Sequence, residues 1–272
     1  MLITPSGSEL NKDESADNTI FRSATEIANQ ELKQERLSTG SKNIDFLLDD
    51  GLECGAITQF YGASKAGKTH LCHLSCVVLP LHYSAIYIDT EDAFSIAKTR
   101  YIAQTRGLDF DRIMENVRVA KVDTTKKLEY CIESAQSKIK SESSIKLLIV
   151  DSMTYLYRVE FTERSRLPER QSRLNKYLHM LLQIAQTNDI AVVITNQVHS
   201  NPQPYSGSNK LQPIGGNILS YPCKYIVNIE GWGDQYRRAI LEKHPHRPHF
   251  SVPLMIDDRG FSDRKSFSIS EE

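Results

Sequence analysis

Gly62-Ala63-Ser64-Lys65-Ala66-Gly67-Lys68-Thr69 is the stretch on which the fold of this chain turns. It fits the spacing GxxxxGK[ST]. Two glycines let backbone N–H groups curl around phosphate oxygens, and the helix that follows points its partly positive end at them. In that pattern Lys68 reaches the β- and γ-phosphates, while Thr69 offers its hydroxyl to Mg²⁺. The flanks are the required ones: residues 56–61 read as a short strand and residues 68–78 as a helix. The alternative, a glycine turn with an incidental lysine, would need neither.

Outward from the loop, strands and helices alternate. Strand patterns at 85–89, 117–122, 146–151 and 190–195 are separated by helical patterns at 94–105, 125–140 and 167–188. The strands at 146–151 and 190–195 are apolar on both faces, as parallel core strands are. The longest helix carries Leu174, Tyr177, Leu178, Leu181 and Ile184 at helical spacing. This rhythm predicts an α/β fold with a mostly parallel central sheet flanked by helices. Past Pro213, residues 224–230, 236–243 and 251–256 alternate without intervening helices and read as antiparallel strands extending the sheet. Residues 1–20 read as a polar tail, 21–36 as a linker, 37–260 as the core and 261–272 as a second polar tail.

Bulk properties bound the function. The 272 residues suffice for one large domain, and 40% hydrophobic residues is ordinary for a globular protein. No run of about 18 apolar residues predicts a membrane span, and the polar N-terminus lacks the apolar region of a secretory signal. A net charge of −1 means that any nucleic-acid surface must be local. The five cysteines are scattered, without a CxxC pair, which suits a reducing compartment. Cys72 and Cys76, with His70 and His73 nearby, could face a metal; lining a buried helix is the simpler reading.

Two carboxylates end strands, where a parallel α/β sheet opens its ligand crevice. Asp151 can hold Mg²⁺ through water, and Glu91 can orient a water against the γ-phosphate as general base; an exposed acid at a strand tip is the bland alternative for Glu91. Gln197 ends another strand, where an amide can touch that phosphate and report it to the next loop; a plain turn residue is the bland alternative.

At this point several strings are similar to the RecA/RadA recombinase family, in the family's order: LSTGSKNIDFLLDDGLECGAITQFYG (37–62), YIDTE (87–91), LLIVDS (147–152), AVVITNQV (191–198) and PIGGNIL (213–219). Within it, RRAILEKHPHRP (237–248) resembles the archaeal RadB-type paralogs more than RadA. The resemblance implies a RecA-like ATPase core, Mg-ATP bound near a subunit interface, and work on DNA in recombination or repair inside an archaeal cell. It matches residues 62–69, Glu91, Asp151 and Gln197 to the family's phosphate loop, catalytic glutamate, metal-associated aspartate and γ-phosphate sensor. RadA-type recombinases also carry an N-terminal helical DNA-binding domain, for which the residues before the core leave no room. This favours an accessory ATPase acting beside a RadA-type recombinase. A stand-alone strand-exchange recombinase and a non-hydrolysing, ATP-switched binding module are the competing readings.

The family match places DNA contacts on two loops. Arg158, Arg164, Arg166, Arg170 and Arg173 give the first a planar-donor surface for phosphates; a solvated helix start balanced by Glu160, Glu163 and Glu169 is the alternative. In the second, residues 199–212, Tyr205 could stack on a base and Lys210 touch a phosphate. Phe21-Arg22-Ser23-Ala24 matches the FxxA through which family members polymerise, so Phe21 and Ala24 are expected to dock on a neighbour or a RadA filament; a staple onto the chain's own core is the bland alternative. Departures are also visible. Glu91 is followed by Asp92-Ala93-Phe94 where the family usually shows Gly-Thr-Phe. Lys98 replaces an arginine that stacks on adenine. Lys243 replaces an acid of the interfacial nucleotide cap, from which it could reach a neighbour's γ-phosphate.

Overall fold

Strands with apolar side chains on both faces need cover on both sides, and the chain supplies it by alternating strand and helix. The structure is a computed structural model; it describes residues 21–199, 212–214, 216–233, 235–257 and 260–262. Tyr205, Lys210, the expected tail at 1–20 and residues 263–272 of the expected tail at 261–272 lie outside these; residues 261–262 belong instead to the last strand, where Phe261 is buried in the core. The chain divides into two compact units, Met1–Glu35 and Arg36–Glu272. In the first, helix α1 (Ala24–Glu31) opens with a capping box: the Ser23 N–H donates to Glu26 Oε2 at 2.8 Å, and the Glu26 N–H to Ser23 Oγ at 3.2 Å.

In the second unit β1 (Arg36–Leu37), α2 (Lys42–Leu47) and β2 (Leu52–Glu53) form a lead-in, with β1 and β2 paired antiparallel. The core then runs β3 (Ile57–Gly62), α3 (Lys68–Val77), β4 (Ser84–Asp89), α4 (Ile96–Thr105), α5 (Phe110–Glu115), β5 (Val117–Lys121), α6 (Thr125–Ser141), β6 (Ile145–Asp151), α7 (Tyr155–Glu160), a 3-10 turn (Arg164–Arg166), α8 (Leu167–Asn188) and β7 (Ala191–His199). It closes with β8 (Gln212–Pro213), α9 (Asn217–Ser220), β9 (Tyr225–Gly231), β10 (Tyr236–Lys243), β11 (Ser251–Asp257) and β12 (Gly260–Ser262).

These strands form a ten-stranded sheet in the order β12-β11-β10-β9-β3-β7-β6-β4-β5, with β8 on β7. From β9 to β5 the pairs are parallel; β9 to β12 are antiparallel, as the absence of helical patterns between residues 224 and 256 predicts. Alternate residues feed opposite cores. Phe60, Tyr87, Leu147 and Ile149 join one with α3, and Tyr61, Ile88, Leu148 and Val150 the other with α6 and α8. Among the described residues no helix is long and apolar enough to cross a membrane.

Gly62 marks where packing is least forgiving. A Cβ there would sit 2.2 Å from the Ile229 carbonyl oxygen on β9, a backbone atom that cannot swing aside. Gly62→Ala should therefore destabilise the fold by about 1–3 kcal/mol, the range for overpacking a tight site, read as a lower denaturation midpoint in urea. An unchanged midpoint would show that β9 yields at no cost.

Candidate active site

The 62–69 loop leaves β3 and enters α3 through backbone that only small residues allow. Gly67, the N-cap of α3, has φ 109°, and a Cβ on it would meet Ile256 Cδ1 at 2.6 Å and Phe261 Cζ at 2.7 Å. No side chain caps α3, so its first N–H groups face the loop's concavity and can take an anion. Lys68 is 8% exposed and donates from Nζ to the Gly62 and Ala63 carbonyls at 2.9 and 2.8 Å. Burial pushes its pKa below the ordinary lysine value, and the carboxylates of Asp151 and Glu91 pull it back up.

The acids reach this loop through sheet register. Gly62 pairs with Gln197 across β3 and β7, and Asp89 with Asp151 across β4 and β6, so all four end their strands at the same edge. Asp151 is 3% exposed. Its Oδ2 accepts from the Tyr87 hydroxyl at 2.7 Å and its Oδ1 from the Thr195 hydroxyl. Two neutral donors hold the carboxylate in place while each oxygen keeps a lone pair. Among the described residues no cluster of three or more His, Cys, Asp or Glu can hold a metal. Mg²⁺ bound with a nucleotide needs no such cluster, because it keeps most of its waters and rides on substrate phosphates. Cys72, Cys76, His70 and His73 are buried on α3, which is the simpler of the two readings open for them.

Glu91 stands on a loop built by its neighbours. Asp89 Oδ1 accepts the N–H groups of Glu91 and Ala93 at 3.2 and 3.1 Å, and Oδ2 that of Phe94 at 2.9 Å. His73 fastens this loop to α3: the Ser95 N–H donates to its Nε2 at 2.9 Å, so the proton sits on Nδ1, which donates to the Thr69 carbonyl at 2.7 Å. The ring stacks on Phe94 at 4.9 Å, and burial lowers its pKa, keeping it neutral. Asp92 follows Glu91 with φ 52°, a left-handed conformation that glycine adopts freely and aspartate tolerates. The departure from Gly-Thr-Phe therefore keeps the turn. Burial, and next the charge of Asp151, raise the Glu91 pKa above the usual carboxylate value, while the Ser152 hydroxyl, the Gln197 amide and the Lys68 charge draw it back.

Gln197 spans the cleft. Its Nε2 lies 3.1 Å from both Glu91 carboxylate oxygens, and its Oε1 accepts from Arg158 Nη1 at 3.1 Å. Lys98 lines the same pocket as Lys65, Gly67, Lys68, Thr69 and Arg237. Arg237 escaped the sequence reading. It comes from β10, and its Nη2 donates to the Lys65 carbonyl at 3.3 Å. Only the antiparallel return of β10 beside β9 brings it there, a long-range pairing that no local pattern announces.

Lys243 is not in this cleft. Arg237 pairs with Gly231 and Lys243 with Ile226, so β10 runs away from the loop and leaves Lys243 at the opposite end of the sheet. There Nζ donates to the Ser220 and Tyr221 carbonyls at 2.9 and 3.4 Å. Its expected contact concerned a neighbour's phosphate; within one chain it touches none of the residues at the 62–69 loop. The arginines divide. Arg158 and Arg164 are exposed. Arg166 covers the Phe161 ring at 4.3 Å and pairs with Glu169 at 3.2 Å, and Arg170 is half-buried. Arg173 is committed to packing: it grips both oxygens of Glu129 at 2.9 and 2.8 Å, tying α8 to α6.

Residues 30–264 match the Rad51 family model. The chain belongs to the Rad51 family, DNA-binding ATPases of recombination and repair that use ATP and Mg²⁺, bind single-stranded DNA and form oligomers. The sheet described above is the RecA-like core of that family.

Proposed function

We propose that this chain is a DNA-dependent ATPase that assists a RadA-type recombinase on single-stranded DNA, in the manner of the RadB-type paralogs. The observation that carries the reading is the meeting of Lys68, Asp151, Glu91, Gln197 and Arg158 at one sheet edge. The triphosphate would lie in residues 62–69 with Lys68 on its β- and γ-oxygens, and Lys98 beside the base. Thr69 and Asp151 would hold Mg²⁺, which neutralises phosphate charge when bound. Glu91 takes a proton from the water that attacks the γ-phosphorus as the bond to the ADP oxygen breaks. Gln197 senses the γ-phosphate, and Arg158, Arg164, Arg166 and Arg170 face the DNA backbone. Phe21, 79% exposed, precedes Ala24 at the start of α1, a presentation that suits docking on a recombinase or a second copy. The RadB assignment rests on residues 237–248.

The test is ATP turnover by the purified chain alone, with single-stranded DNA, and with DNA and a recombinase. Stimulation by DNA, with strand exchange only when the recombinase is present, is the expected result. Strand exchange by the chain alone makes it a recombinase in its own right. ATP binding without turnover in every mixture makes it a nucleotide-switched module. DNA affinity should fall steeply with salt: with about four phosphates neutralised, log K drops by about 3 per tenfold rise in salt. A flat dependence removes the arginines from the interface.

A further inference from the structure

We propose that Arg158 is a positioning residue that restrains the hydrolytic base: through the Gln197 amide it keeps Glu91 clamped, and a phosphodiester strand that takes its guanidinium releases the clamp. This rests on the reading of Glu91 as the base of an ATPase.

A glutamine amide has an acceptor end and a donor end, and here both are committed. Oε1 faces Arg158 Nη1 at 3.1 Å, and Nε2 straddles the two Glu91 oxygens at 3.1 Å each. The polarity cannot reverse. A flipped amide would turn N–H groups on the guanidinium and its oxygen on the carboxylate, repulsive at both ends. Arg158 thus selects the orientation in which Gln197 holds Glu91.

The backbone under this bridge is fixed. The Gln197 N–H donates to Asn196 Oδ1 at 2.8 Å, and its carbonyl accepts the Ile214 N–H at 3.0 Å. Thr154 at the start of α7 donates to the same Asn196 oxygen at 2.6 Å, which docks the helix bearing Arg158 onto β7. Arg158 is exposed on that helix and open to a ligand. A neutral amide oxygen is a poor competitor for a guanidinium against a phosphodiester, which accepts two parallel charge-assisted bonds. Once Arg158 turns to a phosphate, Gln197 loses the contact that fixes its polarity. It can then swing from Glu91 toward the residues 62–69, whose end of β3 lies in register beside it. Glu91 is left free to take up the attacking water.

The test compares wild type with Arg158→Ala, using oligo(dT) as the probe. Without DNA, the variant should turn over ATP about threefold to tenfold faster than wild type, the effect of losing one typical solvent-exposed hydrogen bond. Its stimulation ratio at saturating oligo(dT), with saturation checked by fluorescence anisotropy, should fall to about one. A second readout is independent of turnover. The Gln197 side-chain amide protons should exchange faster with solvent, by NMR, in the variant, and in wild type once oligo(dT) is added. A DNA-free rate that is unchanged or lower in the variant overturns the clamp, as does unchanged amide exchange. If wild type is DNA-stimulated while the variant's DNA-free rate equals it, only the clamp falls. If wild type hydrolyses nothing with or without oligo(dT), the ATPase reading falls first.

Discussion

Lys68→Ala should lower ATP affinity by about 100-fold or more while leaving the fold standing. The lysine is the one side chain of residues 62–69 whose ammonium is bonded inside the loop, on the Gly62 and Ala63 carbonyls. Each charge-assisted bond it makes to a phosphate oxygen is worth about 1.5–3 kcal/mol, so two give about 3 kcal/mol or more, which is a factor of about 100 or more in affinity. The cost to folding is a separate matter. A buried cation is expensive to desolvate, and its lowered pKa records that expense. Removing it relieves the desolvation cost while unpairing two carbonyls, that of the buried Gly62 and that of the exposed Ala63. The denaturation midpoint of the ligand-free protein should therefore move far less than the affinity. Titration calorimetry with ATP beside a urea melt separates the two. Unchanged affinity in a folded variant would contradict the placement of the triphosphate.

The legibility of this site in the sequence followed the range of the forces involved. The 62–69 loop is a local object. Its glycines, lysine and threonine answer to geometry set within a few residues, so the string announces itself. Asp151, Glu91 and Gln197 were also readable, because a carboxylate or amide that ends an apolar strand has its place set by the rule that parallel strands open their crevice at one edge. Strand β7 ran past its expected end because Asn196 and Gln197, polar and therefore read as terminal, are bonded to Thr154 and Ile214. The helices α5 and α7 were invisible for the opposite reason. Six residues each, they are too short to show a period, and are held by an Asp109 cap and by tertiary packing of Leu156 and Tyr157.

What stayed hidden was anything set by pairings distant in sequence. Arg237 and Lys243 lie six positions apart on one strand, and nothing local says which of them meets the loop. The antiparallel register of β10 on β9 decides it, bringing Arg237 to Lys65 and taking Lys243 away. His73 is another case. Its helical pattern reads as a core residue, and it is one, yet its two nitrogens tie the Thr69 carbonyl to the loop that carries Glu91. One ring thereby joins the start of α3 to the loop that carries Glu91.

Glu91→Gln should separate binding from chemistry. The substitution keeps the side chain's size and, through Asp89, the loop beneath it, whose bonds all come from backbone N–H groups. It removes the carboxylate proposed to accept a proton from the attacking water, whereas Asp151 is held in place by the Tyr87 and Thr195 hydroxyls. General-base catalysis by a positioned carboxylate contributes about 10²–10⁴ in rate, so DNA-stimulated kcat should fall by about that factor. ATP affinity should hold or improve, because one negative charge near the γ-phosphate is gone. A loss in kcat without a loss in affinity marks an interaction made in the transition state, whereas a loss in both would mean that the loop itself had moved. The comparison with Lys68→Ala is then decisive, since that change should act on affinity first. If Glu91→Gln hydrolyses ATP at the wild-type rate, the water must be activated elsewhere, and the bridge from Arg158 through Gln197 would end on a bystander.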